Sequence, residues 1–247
     1  YIIEKCSFQI ADYIKLKNTY ENYLFSCNYK EAKKTISKIE DKVGISLWSC
    51  GQKLILAEQE KGLEGNKRLL SQYLEVASKN RVLSALLEFF SYRAEEGTSL
   101  NNYNEKVDKF LKNFEEDEIT FHYFSYKLQL QKIDFEDDMK YIFQIDCQFS
   151  AIDMYNSFIE VLQRAFANEI KVDELIWDRI KRVSFLIDDF RMNNLLAFKG
   201  ENVHPFLKKN VLRCLELYTL RQYEATIEEL SKYLEQNYND FQMWIYI

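Results

Sequence analysis

The chain has 247 residues, 47% of them hydrophobic and 29% charged, which is the balance of a folded globular protein rather than a disordered one. It holds only six glycines and one proline, against a usual joint share of roughly 12%. This argues against sandwiches, barrels, dinucleotide-binding folds and phosphate loops, which need those residues at tight turns and beside phosphate. Thirty-three basic and 39 acidic side chains leave a net charge of −6, so direct nucleic-acid binding is not expected of this segment.

Apolar residues recur at steps of three and four nearly throughout, the spacing of one helix face. The pattern predicts helices over 5–27, 29–42, 46–61, 65–78, 80–95, 102–114, 117–131, 134–146, 150–168, 171–185, 188–199, 204–220, 223–237 and 240–247. Tyr155, Phe158, Ile159, Leu162, Ala165 and Phe166 show the period clearly, as do Tyr223, Ile227, Leu230 and Leu234. Asn28 and Gly44 follow helical stretches and suit the left-handed C-terminal position. Thr98 to Asn102 read as a polar loop, and Pro205 suits a first helical turn after Gly200.

All linkers are short, and no Gly/Ser or Pro tract marks an internal boundary. Residues 1–247 therefore read as one helical region. A first residue other than Met and an apolar final run (Phe241, Met243, Trp244, Ile245, Ile247) suggest a piece of a longer protein. Consecutive short helices with short turns favour stacked antiparallel pairs over a single bundle, so the expected class is an all-α solenoid.

Five cysteines are spread without a CxxC pair, which suggests reduced, mostly buried thiols in a cytoplasmic protein and no zinc site. No run of 18 apolar residues occurs, so no membrane span is expected. His122 sits in an aromatic run and reads as a packed or half-exposed helix residue. His204 precedes Pro205 and reads as a cap or loop residue. The acidic runs Glu115–Glu118 and Asp134, Glu136, Asp137, Asp138 fall where helices start, where the macrodipole favours carboxylates. Neither has the central glycine of a calcium loop. No nucleophile, metal-binding or cofactor motif stands out, so no cofactor and no metal are expected.

Basic groups at Lys33–Lys34, Arg179–Lys181–Arg182 and Lys208–Lys209 read as solvated helix faces. Arg191, Asn193 and Asn194, with Lys199 nearby, form a patch that would suit a bound peptide backbone, and these are the candidate partner-binding residues. Its bland alternative is a helix end or solvent face. The 17 tyrosines and 18 phenylalanines are read first as packing between helix layers and second as recognition surface.

Two segments overlay: Asn28-Tyr29-Lys30-Glu31-Ala32 running on to Ser37-Lys38, and Gln222-Tyr223-Glu224-Ala225-Thr226 running on to Ser231-Lys232. Tyr23 lies nine residues before Ala32. Cys214 lies 12 before Thr226 and Trp244 lies 18 after it. This resembles the tetratricopeptide repeat, in which a small residue stands where paired helices cross closely. The repeat-ending proline is absent, with Gly44 and Tyr238 in its places, and 80–200 follows no repeat period. The resemblance implies a right-handed α-solenoid that binds a protein or peptide partner without catalysis; an oligomer is compatible with it. Two alternatives stay open: the repeat domain of a peptide-sensing bacterial transcription regulator, and an unrecognised helical enzyme.

Overall fold

The computed structural model describes residues 2–128, 135–167, 170–199, 214 and 223–236. Among them are twelve α-helices, one 3-10 turn and no strand. Scarce glycine and proline, together with the helical apolar period, account for this directly.

The helices are α1 (Ile2–Lys5), α2 (Ser7–Phe25), α3 (Tyr29–Val43), α4 (Leu47–Ala77), α5 (Arg81–Ala94), α6 (Leu100–Leu111), α7 (Glu118–Leu128), α8 (Phe135–Asp146), α9 (Ala151–Ala167), α10 (Glu174–Ile187), α11 (Phe190–Phe198) and α12 (Tyr223–Gln236). Boundaries read from the apolar spacing agree within a few residues for most of them. The expected helices at 204–220 and 240–247 lie outside the described residues, apart from helical Cys214.

Three local readings are corrected. The polar stretch after Gly97 is not loop to residue 102. Ser99 accepts a hydrogen bond from the Asn102 amide at 3.2 Å and starts α6 at Leu100. The break expected after residue 61 is a kink within α4, at Gly62, whose φ of 61° and ψ of −162° almost only glycine adopts. After the kink the backbone doubles back closely. A Cβ on Gly65 would collide with Lys61 Cβ and lie 2.9 Å from the Ala57 carbonyl oxygen.

The third correction is at the end of α2. The left-handed residue there is Cys27 (φ 56°), not Asn28. The Asn28 amide donates to the Tyr23 carbonyl at 2.8 Å and the Cys27 amide to the Leu24 carbonyl at 3.0 Å, the bond pair of a Schellman motif. Asn28 then opens α3, its side-chain oxygen accepting from the Glu31 amide at 3.4 Å. A cysteine Cβ is disfavoured at this φ by about 1 kcal/mol. The thiol's bond with Tyr29 is exposed and does not offset this. Cys27→Gly is therefore expected to raise stability by about 1 kcal/mol in urea denaturation. Equal or lower stability would contradict the strain argument.

The chain forms two compact units, Tyr1–Val43 with Tyr155–Ile247, and Gly44–Met154. Gly44, with φ 84°, stands at one division, and the other falls inside α9. Neither leaves a composition change in the sequence, so no boundary is legible there.

In the first unit α2 packs along α3 and against α10, and α10 against α11. Ile10, Tyr13, Tyr20, Ala32, Ile36 and Ile39 are fully buried. The core of the second unit is aromatic. Phe110 meets Phe89, Phe114 and Phe124 at ring-centroid distances of 4.9–5.0 Å, over buried Leu86, Val107, Tyr123 and Leu128. Packing thus accounts for much of the phenylalanine in this stretch. His122 is half-buried and stacked on Tyr141 at 5.4 Å, as its aromatic neighbours suggested. Of the acidic run, Glu118 stands in the first turn of α7, as expected, and Asp117 just before it accepts from the Thr120 amide, whereas Glu115 and Glu116 precede the helix. The cysteines are less buried than expected: Cys50 and Cys214 are buried, but Cys27 and Cys147 are exposed, and none of the five is in a disulfide.

A candidate binding cleft in the first unit

Helix α10 is set by caps at both ends. The Asp173 carboxylate accepts from the Leu175 amide at 2.9 Å. Asp188 closes the helix in the left-handed conformation, its amide donating to the Ser184 carbonyl at 3.1 Å. Asp189 then begins α11 at once, accepting from the Arg191 amide at 2.8 Å. A two-residue link fixes the direction of α11 and brings Met192 beside the inner face of α10.

Beside these helices lies a half-open cleft of about 170 Å3, lined by Ile3, Glu4, Phe158, Ile176, Arg179, Ile180, Val183 and Met192. Its lining is apolar except for Glu4 and Arg179. Arg182, one turn along α10 from Arg179, approaches Glu4 at 3.9 Å. Three large apolar side chains of α10 stand in solvent: Leu175 (68% exposed), Phe185 (75%) and Leu186 (49%). Arg179, Lys181 and Arg182 are exposed, the placement expected of that basic group.

A largely buried polar chain ties α9 and α11, the helices that bring Phe158 and Met192 to the cleft. Arg191 donates from Nη2 to Asp189 Oδ2 at 2.7 Å and to Asn156 Oδ1 at 3.1 Å. Its Nε lies 3.1–3.2 Å from both Asp189 oxygens. The Tyr155 hydroxyl donates to Asp189 at 2.8 Å, and Asn156 donates to the Tyr13 hydroxyl at 3.0 Å. Together these bonds tie α2, α9 and α11. Burial alone would raise the Asp189 carboxyl, but the Arg191 charge and hydrogen bonds outweigh it and hold it below the usual range. Burial, with the Asp189 charge beside it, pushes the Tyr155 hydroxyl well up, so it stays protonated and donates.

Of the residues singled out in the sequence, Arg191 belongs to this chain of bonds. Asn193 and Asn194 are only 7% and 1% exposed. Asn193 donates to Asp188 at 3.3 Å, and Asn194 Oδ1 has no hydrogen-bond partner among the described residues. Neither lines the cleft. Lys199 pairs with Glu174 and lies 5.6 Å over the Trp177 ring. His204 and Lys208–Lys209 lie outside the described residues, as do the side chains of Asp134, Glu136, Asp137 and Asp138.

Sequence reasoning missed the cleft because its walls come from four separated segments. The one visible sign was Leu175 and Leu186 on the helix face that also carries Arg179 and Arg182. Among the described residues no group of three or more His, Cys, Asp or Glu is placed to hold a metal ion, and no helix is long and apolar enough to cross a membrane. The buried carboxylate of Glu58, in the other unit, has one oxygen without a hydrogen-bond partner among the described residues. No protein family, curated protein or solved structure shows significant similarity to this chain.

Proposed function

We propose that this chain is a non-catalytic, tetratricopeptide-like helical scaffold that holds a protein or peptide partner in the cytoplasm. The observation that carries the reading is the apolar cleft flanked by solvent-standing Leu175 and Leu186. Single exposed apolar residues are ordinary, but two on one helix face beside an apolar cleft are the kind of surface a partner covers. The repeat resemblance is supported by the burial of its small residues, Ala32, Thr226 and Cys214, each at most 1% exposed. Five cysteines without a disulfide support a reducing compartment.

The test is selection of a random phage-displayed 16-residue peptide library on the whole chain, followed by affinity measurement on recovered peptides. Saturable binders that protect α10 amides from hydrogen exchange are expected. Failure to recover any saturable binder overturns the reading.

A further inference from the structure

We infer that the occupant of the cleft is an acidic, amphipathic helical segment of a partner protein, which places one large apolar side chain in the cleft and carboxylates on Arg179 and Arg182. This deepens the scaffold reading and rests on it.

Size comes first. A protein cavity of about 150 Å3 accepts a benzene ring, so about 170 Å3 suits one aromatic or large aliphatic side chain. It does not enclose a nucleotide or a whole cofactor. A single apolar anchor in a pocket is how a helix commonly docks on a protein surface.

The surroundings extend the site beyond that pocket. Leu175, Arg179, Arg182 and Leu186 follow one another at steps of four, three and four, so they share one face of α10. The face spans three turns, roughly 16 Å at 1.5 Å per residue, which matches a short partner helix rather than a small molecule. Apolar side chains stand at its two ends and guanidinium groups at its middle.

Charge decides the partner's chemistry. The chain is acidic overall, yet between residues 175 and 186 the exposed charges are Arg179, Lys181 and Arg182 against Asp178, while Glu174 at the helix start is paired with Lys199 and Glu4 is the one carboxylate in the cleft lining. Glu4 and Arg182 approach only to 3.9 Å, and Arg179 has no ion pair among the described residues. Carboxylates three or four residues from the anchor would reach both guanidinium groups. A second copy of this chain docking through the same face would set arginine against arginine, which disfavours a symmetric dimer there. The local basic excess is too small for a nucleic-acid backbone.

The experiment reads the composition of the peptides selected on the whole chain. Enriched sequences should be net acidic, with one Phe, Trp, Leu or Met flanked by Glu or Asp at helical spacing. Binding should weaken about tenfold or more in R179E/R182E, and that variant should instead favour peptides with Lys in place of Glu. Both arginines are exposed, so the variant is expected to fold. Ile176→Gln, at the half-buried mouth, should weaken acidic peptides through the anchor without reversing the charge preference. Recovered peptides that are neutral or basic, or that bind R179E/R182E unchanged, overturn this occupant while leaving the scaffold reading standing. So does binding to phosphatidylserine vesicles that acidic peptides do not displace. Recovery of no peptide at all overturns both.

Discussion

Arg191→Leu is expected to destabilise the first unit by roughly 3–5 kcal/mol, the usual cost of removing one member of a buried ion pair. Asp189 is only 1% exposed, and without the guanidinium its carboxylate keeps only the Tyr155 hydroxyl and the Arg191-position amide as donors. Asn156 loses its donor as well. The loss should be read as faster hydrogen exchange in α9 and α11 and as a lower urea midpoint. Pairing it with Asp189→Asn should recover part of the loss, because the uncompensated charge is then gone. A cost below about 1 kcal/mol would mean that the pair behaves like an exposed one. The pH dependence has a definite sign. The folded-state carboxyl of Asp189 is depressed, so its contribution is present above the unfolded aspartate value and is lost as pH falls through the folded one. Because α11 also carries Met192 into the cleft, Arg191→Leu should weaken peptide binding under conditions where the fold persists.

Asp153→Ala is expected to cost the second unit about 2–4 kcal/mol. Asp153 is 4% exposed. Its carboxylate accepts from the Leu47 amide at 2.9 Å, the Trp48 amide at 3.1 Å and the Ser150 hydroxyl at 2.8 Å. It thus caps α4 from the beginning of α9, while Ser46 caps the same helix locally through the Ser49 amide. Alanine leaves two helix-end amides buried without acceptors. Asp153→Asn keeps one acceptor and should cost less. Burial raises the Asp153 carboxyl above its ordinary value, and the Leu47, Trp48 and Ser150 hydrogen bonds and the Lys127 charge offset this only in part. A raised folded value means that the wild type loses stability relative to Asp153→Asn as pH rises from the unfolded aspartate value through the folded one. Urea midpoints of both proteins across that range check the sign; a widening advantage for the wild type would refute it.

Both sites show where sequence reasoning stopped. Arg191 and Asn194 stood out because polar residues in a helix ask for a partner, and a ligand was one way to supply it. For Arg191 the partners are internal: Asp189 two residues away, and Asn156 at a separation of 35 residues that no local pattern reveals. The Tyr13–Asn156 bond spans 143 residues. Asp153 carries no local signal of its role, because that role depends on a helix start about 105 positions earlier.

The amino-acid sequence by itself determined that the chain is helical and, closely, where most helices begin and end. Those properties depend on propensity, capping and apolar spacing over a few neighbouring residues. Tertiary structure alone decided that the chain divides inside α9, that Asn193 and Asn194 are buried, and that Ile3, Phe158, Ile180 and Met192 meet around one cleft. Each of these depends on contacts between distant segments, where the free energy of burial, not local preference, chooses which side chains meet.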